Sequence, residues 1–370
     1  MKGSFVERMI LPGLAFKASV IGGGYATGRE LATFFLPSGA VGGLYAMALA
    51  TAIWSVVCAL TFVFAFQTQS LDYRTFLRVL LGRFWVVFEI AFLVAIVVIL
   101  AVFAAAAGEI GRALLGMPEF AGALGLALAI ATVAARGNDM VEGLFKYVSI
   151  ILYGTYALFF VFALWMFGNR IGLTLATGSS SDSWIVGGIT YASYNIIGAI
   201  VILPATRHMR SRRDAVVAGL LCGPFAMLPA ALFFLVMIAF SSELLTHPLP
   251  SDFLLRELGL PWFRILFQFM ILAAMLESGV SGVHAINERV SHMITGRKAG
   301  SVGLTPWGRL ILTSAILLFA ILVANRIGLV ALVAYGYRWL AYIFLLVYVV
   351  PLLTFGSWRM WRTRHLPLSV

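Results

Sequence analysis

The chain has 370 residues, of which 62% are hydrophobic and 11% are charged, and its formal net charge is +11. Soluble domains are about 45–50% apolar, so this composition excludes a soluble globular protein and predicts a protein that crosses the membrane many times. The positive charge does not by itself indicate nucleic-acid binding, because lysine and arginine also mark the cytoplasmic side of membrane proteins.

Apolar runs bounded by charges or by Pro/Gly clusters predict an all-α polytopic membrane protein with ten transmembrane helices. A hydrocarbon core is about 30 Å thick, which a helix of about 20 apolar residues can cross. The predicted spans are residues 8–36, 40–66, 84–112, 119–135, 143–167, 184–206, 214–240, 261–290, 305–325 and 328–356.

The distribution of basic residues predicts the topology. If the N-terminus is cytoplasmic, eighteen of the 26 lysines and arginines lie on that side and five on the other. The remaining three, Lys17, Arg29 and Arg338, fall inside spans. This asymmetry predicts that both termini are cytoplasmic, and it explains the net charge without a nucleic-acid partner.

Ten spans divide into two halves of five. The predicted units are a first repeat over residues 1–167, an outer Ser-rich linker over 168–183, a second repeat over 184–356 with an outer loop at 241–260, and a basic cytoplasmic tail at 357–370. An odd number of spans in each half inverts the second half relative to the first. Inverted repeats place the substrate site where the first helix of each half is broken.

The stretch "SVIGGGYATGRELATFF" (residues 19–35) predicts such a break in the first span, about 20 Å from its inner end. Non-helical backbone survives at that depth only where it lines a cavity or binds something. Gly24 and Gly28 also have the spacing of a packing face, and Gly198 in the sixth span is open to the same interpretation. The predicted substrate-binding residues are Gly22, Gly23, Gly24, Tyr25, Ala26, Thr27, Gly28, Ser193, Tyr194, Asn195 and Gly198.

Glu277 is the charge that is hardest to explain as structure, because an ionised carboxylate deep in a span is costly. Glu277, Ser281 and His284 share one helical face, with Ser278 beside them. We predict an ion-coupling site at Glu277, Ser278 and Ser281, either for Na⁺ with carbonyls from the first break or for a proton on Glu277. A static pair between Glu277 and an unidentified cation is the alternative.

Three stretches resemble known families of membrane proteins. "GGGYATGRELATFF" resembles the first helix of the YkvI family of bacterial membrane proteins, and "ALVAYGYRWLAYIFLLVYVVP" resembles that family's last helix. "GNDMVEGLFKYVSIIL" is similar to the start of the fifth span in LeuT-type sodium-coupled neurotransmitter and amino-acid transporters. The resemblance implies the LeuT fold of the amino acid–polyamine–organocation (APC) superfamily, with helices 1 and 6 broken, in the bacterial cytoplasmic membrane. It supplies no substrate.

The resemblance also implies roles for particular residues. In the LeuT-type pattern a Na⁺ site joins the first break to hydroxyls on the eighth helix, which correspond to Ser278 and Ser281. An outer gate of Arg29, Glu30, Tyr337 and Arg338 follows, with Glu30 paired to Arg338 and Tyr337 as a lid. Arg29 or Arg338 binding a substrate carboxylate is an alternative, as is a fixed ion pair.

The predicted function is a secondary active transporter that moves an amino acid or a related zwitterion or carboxylate by alternating access, coupled to Na⁺ or H⁺. The alternatives are a channel or a membrane-embedded enzyme. No nucleotide-binding loop, metal-ligand cluster or Ser-His-Asp spacing occurs, so no enzyme activity is predicted, and no cofactor beyond Na⁺. The expected partners are a small solute and membrane lipid, with a monomer or homodimer left open.

Overall fold

A computed structural model of the protein describes residues 4–136, 138–178, 180–295 and 304–362. The regular structure of these residues is helical. Eight helical stretches among them are long and apolar enough to cross a membrane, and Glu119–Ala135 is a shorter apolar helix. With the interrupted first helix these make ten spans, so the predicted all-α architecture is confirmed.

The first five spans and their connections contain eight helices. The first span follows a π-helical turn at Val6–Ile10 and consists of three short helices, and the next four spans are single long ones. The remaining helix, Tyr73–Leu81, is short and connects the second span to the third. The bounds of the eight helices are α1 Leu11–Val20, α2 Gly23–Ala26, α3 Arg29–Phe34, α4 Gly39–Thr68, α5 Tyr73–Leu81, α6 Trp85–Leu115, α7 Glu119–Arg136 and α8 Asn138–Ala176.

The second five spans begin after the Ser-rich linker. The sixth span ends in a 3₁₀ segment at Leu203–His208, and the tenth contains π-helical turns at Leu332–Gly336, Leu345–Val349 and Leu352–Gly356. The helices are α9 Trp184–Asn195, α10 Gly198–Val201, α11 Arg212–Met237, α12 Ser241–Leu244, α13 Pro250–Glu257, α14 Pro261–Thr295, α15 Pro306–Ile327, α16 Leu329–Ala331, α17 Tyr337–Phe344 and α18 Ser357–Arg362.

The helix packing is reciprocal between the two halves. The first span (α1) packs on the seventh (α11), and the sixth (α9) packs on the second (α4). Likewise the third (α6) packs on the ninth (α15), and the eighth (α14) on the fourth (α7). If each span is replaced by the span five places along the chain, the pair of spans one and seven becomes the pair of six and two, and the pair of three and nine becomes the pair of eight and four. This exchange is the symmetry expected of an inverted repeat.

Small residues bring the second and seventh spans into backbone contact. A β-carbon on Gly219 would overlap the backbone of Ala59, and one on Gly223 would overlap the Thr51 carbonyl. Trp54, in the same helix as Thr51, is buried and donates its indole N–H to the Ala192 carbonyl of the sixth span at 2.9 Å. This close packing fixes the sixth span beside the first, where the predicted site lies.

Two short helices cover the ends of the broken spans. Helix α5 packs against α10 of the sixth span, and α13 packs against α3 of the first. The Asp72 carboxylate caps α5 by accepting a hydrogen bond from the Thr75 N–H at 2.9 Å. Proline at the first position of α13 sets that helix's start.

Candidate functional site

The first span is broken at Ile21 and Gly22. Helix α1 ends at Val20, Ile21 has a non-helical ψ of 79°, and Gly22 is extended with φ −100° and ψ −177°. The Gly22 N–H turns back to the Val20 carbonyl at 2.9 Å. Helical structure resumes at Gly23. The predicted break is therefore confirmed at the first residue of the glycine run.

A second break at Gly28 separates α2 from α3, whereas the sequence predicted only one interruption. Gly28 has φ 75°, and a β-carbon there would lie 2.7 Å from Cε1 of Phe233. The Thr27 carbonyl accepts a hydrogen bond from the Ser251 N–H of the outer loop at 3.0 Å. The second break thus allows an outer-loop helix to dock on the first span.

The sixth span is interrupted between Asn195 and Gly198. Ser193 donates to the Ile189 carbonyl at 2.6 Å and the Asn195 amide donates to the Tyr191 carbonyl at 3.2 Å, so both satisfy their own helix. Gly198 faces Ser19 and Phe16 of α1, and a side chain there would collide with the Ser19 hydroxyl. Its position therefore fits the alternative of a close helix contact.

The structure brings the first break and part of the predicted ion-coupling set together. A β-carbon on Gly22 would lie 3.6 Å from Ser278 Oγ. Glu277 is half-buried beside Ser278 and interacts electrostatically with Tyr153 of α8. Lys17 lies above the same Tyr153 ring, with Nζ 3.9 Å from the centroid. Ser281, one turn further along the helix, is exposed.

The predicted outer-gate pair of Glu30 and Arg338 is not formed in this structure. The buried Glu30 carboxylate instead accepts a hydrogen bond from the Tyr194 hydroxyl of the sixth span. Arg338 is exposed, since consecutive residues of a helix point in different directions. Its neighbour Tyr337 is buried and stacks on Tyr194 with ring centroids 4.5 Å apart.

Arg29 holds the outer loop and does not face an acid. Its guanidinium donates to the Leu245 carbonyl at 3.0 Å, to the His247 carbonyl at 2.8 Å and to Thr33 Oγ1 at 3.1 Å. These bonds tie α3 to the segment between α12 and α13. Binding of a substrate carboxylate by Arg29 would require giving them up.

Five buried tyrosines from four different spans lie in the neighbourhood of Glu30, and we call them the tyrosine cluster. Tyr194 donates a hydrogen bond to the Glu30 carboxylate, and the rings of Tyr191 and Tyr337 pack on the Tyr194 ring. Sequence reasoning selected three of them for the site and missed the significance of Tyr156 and Tyr191. The available signal was a polar tyrosine in mid-span, where a phenylalanine would cost less. The cluster is Tyr25, Tyr156, Tyr191, Tyr194 and Tyr337.

A buried charge cluster secures the outer loop to the eighth span. The fully buried Asp252 carboxylate of α13 accepts hydrogen bonds from Arg264 Nε at 2.7 Å and from Gln268 Nε2 at 3.0 Å, and it forms an ion pair with Arg256, whose Nε is 2.8 Å away. Burial lowers the pKa of His247 in the same loop below its ordinary value of 6.5. An outer cavity of about 350 Å³ is lined by Glu109, His247 and Asp252, among others.

A second charge cluster lies at the opposite end of α14. Arg289 Nε is 3.5 Å from the Glu89 carboxylate, and the guanidinium lies over the rings of Phe92 and Tyr73. A cavity of about 410 Å³ is bounded there by Arg289 and extends to Ile197 at the sixth-span break. The sequence analysis did not select these residues, because charges near a span end usually mark an interface.

No family model matches the chain, and no curated protein matches it either. Solved structures do. A mutant of the Eremococcus coleocola manganese transporter has a TM-score of 0.60 at 14% identity, covering 97% of this chain and 84% of that one. MhsT in complex with L-phenylalanine has a TM-score of 0.53 at 16% identity, with 96% and 98% covered.

A Na⁺-coupled sialic acid symporter has a TM-score of 0.51 at 13% identity, covering 93% of this chain and 84% of that one. These likenesses span nearly the whole chain at low identity. They confirm the LeuT-like fold class, with ten helices and interruptions in the first and sixth spans. The ions and ligands named for these proteins are properties of those proteins and are not assigned to this chain.

Proposed function

We propose that the protein is a secondary active transporter that moves a small solute by alternating access. The observation that carries the proposal is the position of the first-span break, which lies against Ser278 of the eighth span and leads into a buried carboxylate, Glu30, that meets the sixth span. Broken backbone at this depth is stable when it serves a binding site. Two of the structural neighbours named above, the manganese transporter and the Na⁺-coupled sialic acid symporter, are transporters, which supports the proposal.

The two charge clusters provide the closures that alternating access requires. On one side Arg29 and Asp252 hold the outer loop over the first span. On the other side Arg289 and Glu89 border the cavity that extends to the sixth-span break. We propose that breaking one cluster while the other remains closed exposes the central site to one side at a time.

For the coupling ion we propose Na⁺ near Ser278 and Glu277, with carbonyls released at Ile21 and Gly22 as further ligands. Hydroxyl, carboxylate and carbonyl oxygens are the ligands that hard cations prefer. A proton carried by Glu277 is the second form of this proposal, because the carboxyl group is half-buried and takes part in none of the ion pairs of the described residues. An exposed Ser281 leaves Ser278 as the better hydroxyl ligand.

The proposed setting is the bacterial cytoplasmic membrane with both termini inside, and membership of the YkvI-like branch is part of the same proposal. An amino acid or a related zwitterion remains the solute class suggested by the sequence. The positions of Arg29 and Arg338 weaken the case for a carboxylate on the solute. Arg29 is engaged by backbone carbonyls, and Arg338 is exposed.

The proposal is tested by thermal unfolding of purified protein in detergent with amino acids, carboxylates and amines, each in NaCl or KCl at two pH values. A bound ligand raises the unfolding temperature in proportion to RT ln(1 + [L]/Kd). We expect a solute-dependent increase that is larger in NaCl, or one that changes with pH if the ion is a proton. If a solute raises the unfolding temperature equally in NaCl and KCl and at both pH values, the result would contradict coupling to Na⁺ or H⁺.

A further inference from the structure

The surroundings of Glu30 indicate what kind of solute the central site selects. The Glu30 side chain is 5% exposed, and the members of the tyrosine cluster are between 0% and 7% exposed. Tyr194, which bonds the carboxylate, stacks on Tyr337, and Tyr191 packs edge-on against Tyr194 with centroids 5.7 Å apart. The first, fifth, sixth and tenth spans all contribute.

The polar groups of this cluster are left incompletely satisfied. Tyr194 donates its hydroxyl to Glu30, but the hydroxyls of Tyr25, Tyr156 and Tyr191 have no hydrogen-bond partner. Buried hydroxyls without partners are uncommon, because each loses its bonds to water. Three of them beside one carboxylate indicate a place where a polar ligand completes the bonding.

The charge of Glu30 is also uncompensated among the described residues. The eight ion pairs found there do not include it. The Arg29 guanidinium donates hydrogen bonds to Leu245, His247 and Thr33, and Arg338 is exposed. A buried carboxylate in a span is stable when a cation joins it, so the missing partner is a positive charge.

The residues near Glu30 favour an organic cation over a divalent metal ion as its missing partner. Divalent metals take several carboxylates, imidazoles or thiolates, and in the described part of the chain no three His, Cys, Asp or Glu side chains come together in that way. A single buried carboxylate, bonded to Tyr194 and with further tyrosine rings packed on that residue, suits an ammonium group, which can make a charged hydrogen bond and cation–π contacts.

We propose that Glu30 and the tyrosine cluster bind the positively charged nitrogen of the transported solute, so that the substrate class is a small organic amine and a carboxylate is not required. This inference rests on the proposed transport function and narrows its solute. The unpartnered hydroxyls then orient the amine or accept its remaining N–H groups.

The test uses full-length protein in detergent with three probes of one shape: phenethylamine, phenylalanine and hydrocinnamate. These probes carry an amine alone, both groups, and a carboxylate alone. We expect stabilisation by phenethylamine, whether or not phenylalanine binds, and none by hydrocinnamate.

Glu30→Gln should weaken amine binding at least about tenfold, since a hydrogen bond to a charged group is lost. Glu243→Gln, at an exposed outer ion pair with Arg170, is the matched control and should bind as wild type.

A second variant keeps the test decisive if Glu30→Gln does not fold. Tyr191→Phe removes an unpartnered hydroxyl without changing the ring, so the ligand-free protein should unfold at the same or a higher temperature while amine affinity falls. A purely structural role for Tyr191 would lower the unfolding temperature and leave affinity unchanged. That result, or amine binding of wild-type strength in Glu30→Gln, would overturn the inference.

The failure of this inference is distinguishable from that of the proposed function. If hydrocinnamate stabilises the protein and is taken up along an ion gradient, the amine assignment is wrong and transport stands. If phenethylamine binds through Glu30 but is never moved across the membrane, the transport function is wrong and the amine site stands.

Discussion

At the scale of single residues, the two serines of the eighth span provide a matched comparison for the proposed ion site. Ser278 lies against Gly22, whereas Ser281 is exposed one turn away. We expect Ser278→Ala to weaken Na⁺ binding about tenfold, as expected for a lost ligand, and Ser281→Ala to leave it within about twofold. Na⁺-dependent thermal stabilisation measures both. Equal losses in the two variants would contradict a site at the first break.

Glu277 tests the same region through charge. We expect Glu277→Gln to abolish most of the ion dependence of solute binding while changing the unfolding temperature of the ligand-free protein little, because the carboxyl group is half-buried and unpaired among the described ion pairs. Ion titrations followed by thermal unfolding separate the two quantities. A parallel loss of stability and ion dependence would instead indicate a structural carboxylate.

His247 makes the outer loop sensitive to pH. Its Nδ1 accepts a hydrogen bond from the Leu249 N–H at 3.2 Å, which requires the neutral ring, and burial lowers its pKa. A histidine with a depressed pKa stabilises the closed loop at higher pH and ceases to do so as the pH falls below about 6.5. Asp252 and Glu109 oppose this shift and Arg256 adds to it.

We therefore expect hydrogen exchange of the Leu249 amide to quicken as the pH falls from 7 to 5, after correction for the intrinsic rate. His247→Gln should remove most of this pH dependence. An unchanged profile in that variant would exclude His247 as the titrating group.

Sequence reasoning identified individual site residues but not their partners. Glycine runs, mid-span polar residues and intramembrane charges are visible in the sequence, so Gly22, Glu30, Tyr194 and Ser278 could be selected. The pairing of Glu30 with Tyr194, and not with Arg338, depends on which face of each helix turns inward. A span that is apolar on all sides does not reveal that face.

At the scale of helices, the second break in the first span is a feature of packing. Gly28→Ala should lower the free energy of unfolding by about 1–3 kcal/mol, because φ is 75° and Phe233 occupies the side-chain space. Gly328→Ala is the matched control: its φ is 81° and nothing lies within 4 Å, so it carries only the backbone strain. Thermal unfolding should rank Gly28→Ala as the more damaging. The reverse order would contradict the docking role.

The outer loop should open when Asp252 loses its charge. Its carboxylate accepts hydrogen bonds from α14 and is paired with Arg256 of α13, so Asp252→Asn should release α13 and widen access to the outer cavity. The two native cysteines are buried, and Ala113 lines that cavity. We expect an impermeant maleimide to label Ala113→Cys several-fold faster in the Asp252→Asn background.

Asp182→Asn, in the exposed linker, is the control for that experiment and should not change the labelling rate. Slower labelling in Asp252→Asn, or equal rates in both backgrounds, would show that the charge cluster does not hold the loop closed.

The sequence predicted the span positions well, because apolar length is a strong signal in membrane proteins. The sequence predicted one break in the first span and the structure has two, because Gly28 was interpreted as part of the same glycine-rich segment. The position of the outer loop explains the left-handed backbone of Gly28, and the sequence does not contain that position. The clusters at Asp252 and Arg289 join residues from separate elements, and span-by-span patterns contain no information about such contacts.

At the scale of the whole molecule, the reciprocal packing of the two halves is consistent with the proposed exposure of one site to either side in turn. Each broken span packs on an unbroken span of the other half, and the pairs α1 with α11 and α9 with α4 are exchanged by the repeat symmetry. A molecule that can adopt one arrangement can adopt its inverted counterpart at similar energy. The short helices α5 and α13 occupy matching positions at the two ends.

The most direct test of coupled transport is uptake into proteoliposomes. The solute that gives the largest thermal stabilisation is followed with time under an inward Na⁺ gradient, under an inward proton gradient and without a gradient. We predict transient accumulation above the external concentration under one of the gradients, and its loss when an ionophore dissipates that gradient. Uptake that only equilibrates, at a rate independent of both gradients, would contradict a coupled transporter.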